Sequence, residues 1–167
     1  TLIDPDDNST IATILVDDAD VVYADIAYPL SGQAVGDDNY VISAAYDPSV
    51  TNVSIDGTVV WTLPKSIVTY DSQKLGIATL LTDGTVLCAS PALGRVIEVV
   101  PGTQAVVYSY TPRYSPYYAV RTSAGNIIIV EVDEVNDGLN SRVFEVTSDG
   151  DVTREWGLGR LQTPTGV

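Results

Sequence analysis

The chain reads as all-β, assembled from repeated units of four short antiparallel strands. Three observations predict this. Two segments are near copies, Arg95-Val96-Ile97-Glu98-Val99 and Arg142-Val143-Phe144-Glu145-Val146, each followed by a Gly-bearing turn and another strand-like run. β-Branched and aromatic residues gather in short runs between turn residues, while no stretch of helix length keeps a 3.6-residue period. Asp-Gly and Gly-Asn pairs recur between the runs, each able to supply the positive φ that a tight hairpin needs.

The last complete unit shows the plan. Tyr117 to Arg121 forms a first strand, Ser123-Ala124-Gly125-Asn126 a turn, and Ile127 to Val132 an apolar second strand. The polar loop Asp133 to Asn140 leads to a third strand at Arg142 to Val146, and Ser148-Asp149-Gly150 to a fourth at Val152 to Trp156. The preceding unit repeats the order with Gly76 to Leu81, Val86 to Ala89, Arg95 to Val100 and Ala105 to Tyr110, turning at Thr82-Asp83-Gly84 and Pro101-Gly102. An earlier unit runs through Gly32 to Val35, Tyr40 to Ala45, Thr51 to Ile55 and Val59 to Leu63, turning at Gly36-Asp37-Asp38-Asn39 and Asp56-Gly57. Within the twin segments, Val and Ile are expected to face the neighbouring unit, with Glu98 and Glu145 alternating outward.

Four antiparallel strands at a period of about forty residues or slightly more is the spacing of a β-propeller blade. The termini fit the same frame. Thr1 to Asp4 suits a second strand, Ile11 to Val16 a third, Asp17 to Asp20 a turn and Val21 to Ile26 a fourth, so this unit lacks a first strand. Leu161-Gln162-Thr163-Pro164-Thr165-Gly166-Val167 matches the entry to a first strand at Tyr114-Ser115-Pro116-Tyr117-Tyr118-Ala119-Val120. The expectation is therefore a single β-propeller domain over 1–167, with blades at about 27–63, 70–110 and 114–156 and a split blade of 1–26 with 161–167. Closing the split blade removes free sheet edges. Three geometries satisfy the layout: a four-bladed ring from one chain, an eight-bladed ring from two chains that complete each other, or a piece of a longer propeller.

Composition narrows the partners. A chain of 167 residues, 45% hydrophobic, can bury one core. A net charge of −14 with only eight Lys and Arg argues against nucleic acid and anionic membranes, because both are bound through displaced counterions. The acids are mostly Asp, and Lys occurs only at Lys65 and Lys74, a balance shared with halophilic and extracellular proteins. The single Cys88 sits in the apolar run Val86-Leu87-Cys88-Ala89, which excludes an internal disulfide and predicts a buried thiol. No apolar run reaches the length of a membrane span. The chain starts at Thr1 without a signal-peptide pattern, as a processed or excised polypeptide would. The sequons Asn8-Ser9-Thr10 and Asn52-Val53-Ser54 suit secretion, so the location expected is extracellular or cell-surface.

Some of these segments also carry a family likeness. Leu161-Gln162-Thr163-Pro164-Thr165-Gly166-Val167 resembles the opening of an NHL repeat. Ala124-Gly125-Asn126-Ile127-Ile128-Ile129, with Asn140-Ser141-Arg142-Val143-Phe144-Glu145-Val146 and Asp149-Gly150, resembles blades of NHL, pyrroloquinoline-quinone-like and arylsulfotransferase-like propellers. The resemblance implies a blade and not a function. Enzymes of these groups typically employ His as nucleophile, acid-base or metal ligand, and this chain has none. A quinoprotein reading would also need a calcium-bound cofactor and a catalytic Asp, for which no signature is visible.

Candidate sites follow from the expected topology. Propeller ligands sit over the central channel, near connectors from a fourth strand to the next first strand. Those connectors hold Tyr28, Tyr70, Arg113, Tyr114, Arg160 and Gln162. Tyr rings supply stacking area, and hydroxyl and guanidinium groups supply directed hydrogen bonds, a set suited to a carbohydrate or polar small ligand. The loops between second and third strands are oxygen-rich. Asp4, Asp6 and Asp7 in one, and Asp133 and Asp137 in the other, are candidate ligands for a structural calcium, although neither loop has EF-hand spacing. No other cofactor is expected. There is no nucleophile elbow, phosphate-binding loop or Cys/His zinc spacing, and Ser-His or Cys-His catalysis is impossible without His.

The reading favoured is a noncatalytic extracellular propeller acting as a binding or assembly module, with its ligand over the channel. One alternative is a quinoprotein-like or glycan-processing enzyme using Asp and Tyr at the channel mouth. Another is a structural subunit of a surface layer or filament whose split blade self-associates by strand exchange.

Overall fold

The computed structural model describes residues 2–3, 10–12, 29–36, 38–44, 49–68, 75–135 and 140–157. Three four-stranded antiparallel sheets account for most of them, each a meander whose strands pair in chain order. The first sheet holds β3 (Pro29–Val35), β4 (Asn39–Ala44), β5 (Val50–Ser54) and β6 (Val59–Leu63). The second holds β7 (Ala78–Leu80), β8 (Val86–Ser90), β9 (Arg95–Val100) and β10 (Ala105–Tyr110). The third holds β11 (Ser115–Arg121), β12 (Ile127–Val132), β13 (Arg142–Val146) and β14 (Val152–Trp156). These are propeller blades. Near the N-terminus β1 (Leu2–Ile3) pairs antiparallel with β2 (Thr10–Ala12). The rest of 1–26, and all of 161–167, lie outside the described residues.

Turn chemistry sets the hairpins. In four of them a glycine at φ 84–93° sits in one repeated frame: Gly57, Gly84, Gly125 and Gly150. The glycine amide donates three residues back, as from Gly84 to Leu81 O at 3.0 Å, and the strand residue's amide donates four residues forward, as from Leu81 to Thr85 O at 2.8 Å. A side chain at that φ would be strained, which is why glycine recurs there. The turn at Pro101-Gly102 departs from the expectation. Its left-handed residue is Gln104, at φ 58°, because the loop closes one residue later with Gln104 N donating to Val100 O at 2.8 Å.

Alternation along the middle strands builds the core. In β8, Val86 and Cys88 pack with Val41, Val50 and Leu63 of the first blade, while Leu87 and Ala89 pack with Ala119, Ile127, Ile129 and Phe144 of the third. A strand with a blade on each side must be apolar on both faces, hence the unbroken run Val86-Leu87-Cys88-Ala89. Cys88 is fully buried, and burial pushes its thiol up to about 12.

The structure departs from the sequence reading at several points. β3 and β11 begin earlier than expected, at Pro29 and Ser115, because each contains an early register shift that breaks the alternation and a proline that only an edge strand tolerates. One helical turn, α1 (Lys65–Val68), follows Pro64, although helical signals are nearly absent. Packing explains it, since Val68 is buried and Ile67 half-buried against the core between the first two blades. Glu98 and Glu145 do not alternate outward into solvent. Both are buried, on the side of β9 and β13 that faces away from the preceding blade. Asn52 is buried within β5, so the second sequon is not presented for modification in the folded chain; Asn8 lies outside the described residues.

Candidate functional site

The connector from β10 to β11 and the loop leaving β12 come together at one end of the third blade. The link is Glu131. It is fully buried at the end of β12, one carboxylate oxygen accepting from the Tyr114 amide at 3.1 Å and the other from Arg142 Nε at 2.5 Å. Arg142 also donates to Glu155 of β14 at 2.6 Å, and its guanidinium lies 4.4 Å from the Phe144 ring centroid. Burial works against the Arg142 charge, but hydrogen bonds and charge from Glu131 and then Glu155 outweigh it and raise its pKa. A buried carboxylate with both oxygens bonded and a guanidinium in contact is a fully satisfied network, so it holds the connector in one geometry.

On that anchored connector Arg113 is exposed, its guanidinium 5.1 Å from the centroid of the half-buried Tyr114 ring. A stacked guanidinium keeps its N–H edge available for an acceptor. Tyr117 lies one strand-turn on, at the bulge where Pro116 pairs with Glu131 and Tyr118 with Val130. Its hydroxyl donates to Glu134, and burial, reinforced by that hydrogen bond and charge, pushes it up to about 12.

Asp133 is buried beside these groups, and its carboxylate organises its own loop. One oxygen accepts from the Val135 amide at 3.2 Å and the other from Asn140 Nδ2 at 2.7 Å, while the Ser141 hydroxyl accepts from the Asp133 amide at 3.1 Å. Among the described residues no group of three His, Cys, Asp or Glu side chains is arranged to hold a metal ion. Of the residues singled out by sequence, the structure stacks Arg113 on Tyr114 and places Asp133 in the loop that leaves β12, bonded within that loop. Tyr28, Tyr70, Arg160, Gln162, Asp4, Asp6, Asp7 and Asp137 lie outside the described residues.

Sequence reasoning missed Glu131 and Arg142. A signal existed, since a charged residue interrupts the apolar run Ile127 to Val132 where the second blade has Ser90. Ser90 does a smaller version of the same work, its hydroxyl accepting from the Leu93 amide at 3.3 Å.

No family model matches the chain, and no curated protein matches it. Solved structures do. Virginiamycin B lyase of Staphylococcus aureus superposes with a TM-score of 0.59 at 19% identity, over 81% of this chain and 43% of that one. A hydrazine synthase of Kuenenia stuttgartiensis gives 0.58 at 16% identity over 76% and 36%, and the WD40 β-propeller domain of Doa1 gives 0.51 at 16% over 60% and 32%. At these identities the likeness concerns the fold, which is that of a β-propeller. The chain spans less than half the length of each of these structures. Among the described residues no helix is long and apolar enough to cross a membrane.

Proposed function

We propose that this chain belongs to a noncatalytic extracellular propeller that binds a carbohydrate or similar polar ligand on the face holding the blade connectors. The observation that carries the reading is the Arg113–Tyr114 pair, presented on a connector that the buried Glu131 ties to the sheet. Rigid aromatic and guanidinium groups backed by a satisfied inner layer suit polar recognition. The absence of His supports a noncatalytic role, as does the engagement of the carboxylates at this face: Glu131 with Arg142, Asp133 with its loop, Glu134 with Tyr117. Acid-base work would require one of them to exchange a proton with a substrate. Extracellular location is supported by the Asp-rich, Lys-poor composition and the lone buried thiol.

A glycan array probed with the full chain tests the reading. Binding that Arg113→Ala and Tyr114→Ala weaken about tenfold or more, at unchanged melting temperature, is the expected result. Absence of any bound glycan, or binding indifferent to both substitutions, would overturn it.

An assembly role is favoured by one separate observation. The outer strand β10 carries no charged residue and exposes Val106 and Val107 at 50% and 57%. Uncharged exposed edges template strand pairing. Val107→Lys should then abolish any concentration-dependent mass increase in light scattering.

A further inference from the structure

We infer that the ligand of the connector face is a carboxylate-bearing saccharide, held by Arg113 while Arg95 supplies a second positive charge at the same end of the second blade. This rests on the ligand reading above and adds a charge to it.

Arg95 opens β9 as Arg142 opens β13. In the third blade the register sets Glu131 beside Arg142 and Glu155 beside Phe144, and both carboxylates accept from the Arg142 guanidinium. In the second blade the matching positions hold Ser90, beside Arg95, and Ser109, beside Ile97. Neither serine is charged, and Arg95 is exposed with no ion pair among the described residues. Arg142 has a reason within its own sheet, the neutralising of a buried carboxylate, and Arg95 has none.

Arg113 is in the same condition. It is exposed, its guanidinium lies against the Tyr114 ring, and no described carboxylate pairs with it. Tyr110 stands opposite Val96 in register, so the connector that carries Arg113 leaves β10 beside the residue at which β9 begins. Both arginines therefore belong to one end of the second blade.

The two ends of the blades differ in charge. At the hairpin end Asp38, Asp56, Asp83, Asp149 and Asp151 are exposed, and none is in an ion pair among the described residues. At the connector end Lys65, Arg95, Arg113 and Arg142 offset Glu131, Asp133, Glu134 and Glu155. In a chain of net charge −14 this is the end that an anion can approach, and screening over about 8 Å confines the attraction to it. A guanidinium stacked on a ring can receive a carboxylate through two parallel hydrogen bonds. A long polyanion would also meet the acidic hairpin end, so the ligand that fits is a short saccharide with isolated carboxylates.

Calorimetric titration of the full chain with digalacturonate, with its methyl ester and with a sulfated galactose disaccharide tests this. The free acid should bind at least about tenfold more tightly than the ester, and the difference should shrink as salt is raised. Arg113→Gln should bring acid and ester to within about twofold, and Arg95→Gln should reduce the preference about threefold, both at unchanged melting temperature because both side chains are exposed. Asp56→Asn, at the hairpin end, should leave the preference as it is. Equal binding of acid and ester would overturn the carboxylate assignment while leaving the ligand reading intact. A preference for the sulfated disaccharide, or an acid preference that survives Arg113→Gln, would overturn it as well. If none of the three binds, the assignment also fails, and the glycan array decides separately whether a neutral glycan is held.

Discussion

Where the first blade meets the second, the third-strand residue on the face of the joint is Asn52, opposite Val41 of β4 and Trp61 of β6, and the facing strand offers Leu80. Where the second meets the third, the same position is Glu98, and Arg121 reaches over from β11 to pair with it. Large apolar side chains fill both joints, Phe144, Ile127 and Leu87 in the second and Leu63 and Leu75 in the first, where the Gln33 amide also bonds the Leu80 backbone across the joint, Nε2 donating to Leu80 O at 3.1 Å and Oε1 accepting from Leu80 N at 2.7 Å. The difference teaches that blade packing demands volume at every position but chemical compatibility only pairwise. A carboxylate is admitted between sheets where a cation can be brought to it; at the first joint the position holds the uncharged Asn52, whose buried Oδ1 has no hydrogen-bond partner among the described residues, a lower cost than an unpaired buried charge.

The largest test of this comparison removes volume. Phe144→Ala in the second joint and Leu63→Ala in the first should each cost about 3–5 kcal/mol in chemical denaturation, since both side chains are fully buried. A much smaller cost at Phe144 would mean that the charged joint is loosely packed. Charge comes next. Arg121→Ala strands the buried Glu98 and should cost about 3 kcal/mol, whereas Glu98→Gln combined with Arg121→Met should recover most of that loss. Recovery below half would show that the ion pair, and not its removal from water, stabilises the joint.

Backbone approach supplies a third test. A Cβ on Gly76 would lie 2.6 Å from Tyr117 O and 2.9 Å from Ala89 O. The Tyr117 carbonyl joins the blades, accepting from Ile77 N at 3.1 Å, while Ala89 O accepts from Gly76 N at 2.9 Å within the second blade. Gly76→Ala should therefore cost about 2 kcal/mol, with amide exchange rising at both blades. The smallest effect involves Thr85, whose hydroxyl lies 2.7 Å from both Asp83 Oδ1 and Glu98 Oε1. The Thr85 hydroxyl, and then its amide, hold the Asp83 carboxyl below 3.8. The stability this lends is present above the unfolded value and is lost as pH falls through the lower folded one. Thr85→Val should move the Asp83 midpoint, followed by NMR, up toward 3.8 and shrink that acid dependence.

Much of the architecture was legible in residue order. Arg95–Val100, Ala105–Tyr110, Ile127–Val132, Arg142–Val146 and Val152–Trp156 form strands with the bounds that alternation and Asp-Gly turns predict. Prolines and bulges hid the starts of β3 and β11, because a bulge shifts the two-residue period on which such a reading depends. The candidate site was less legible. Topology pointed to Arg113 and Tyr114 by their place on a connector, but Glu131, which anchors them, belongs to another strand and meets the Tyr114 amide only after folding.

By itself, then, the sequence determined the meander, because strand period and turn stereochemistry are local properties of a few neighbouring residues. What only the tertiary structure decided is the fate of the charged residues within those strands. Glu98 and Glu145 share a motif and a position, yet one is neutralised from the next blade and the other from its own fourth strand. Burial and charge pairing depend on what lies across a joint, and that is set by residues far apart in the chain.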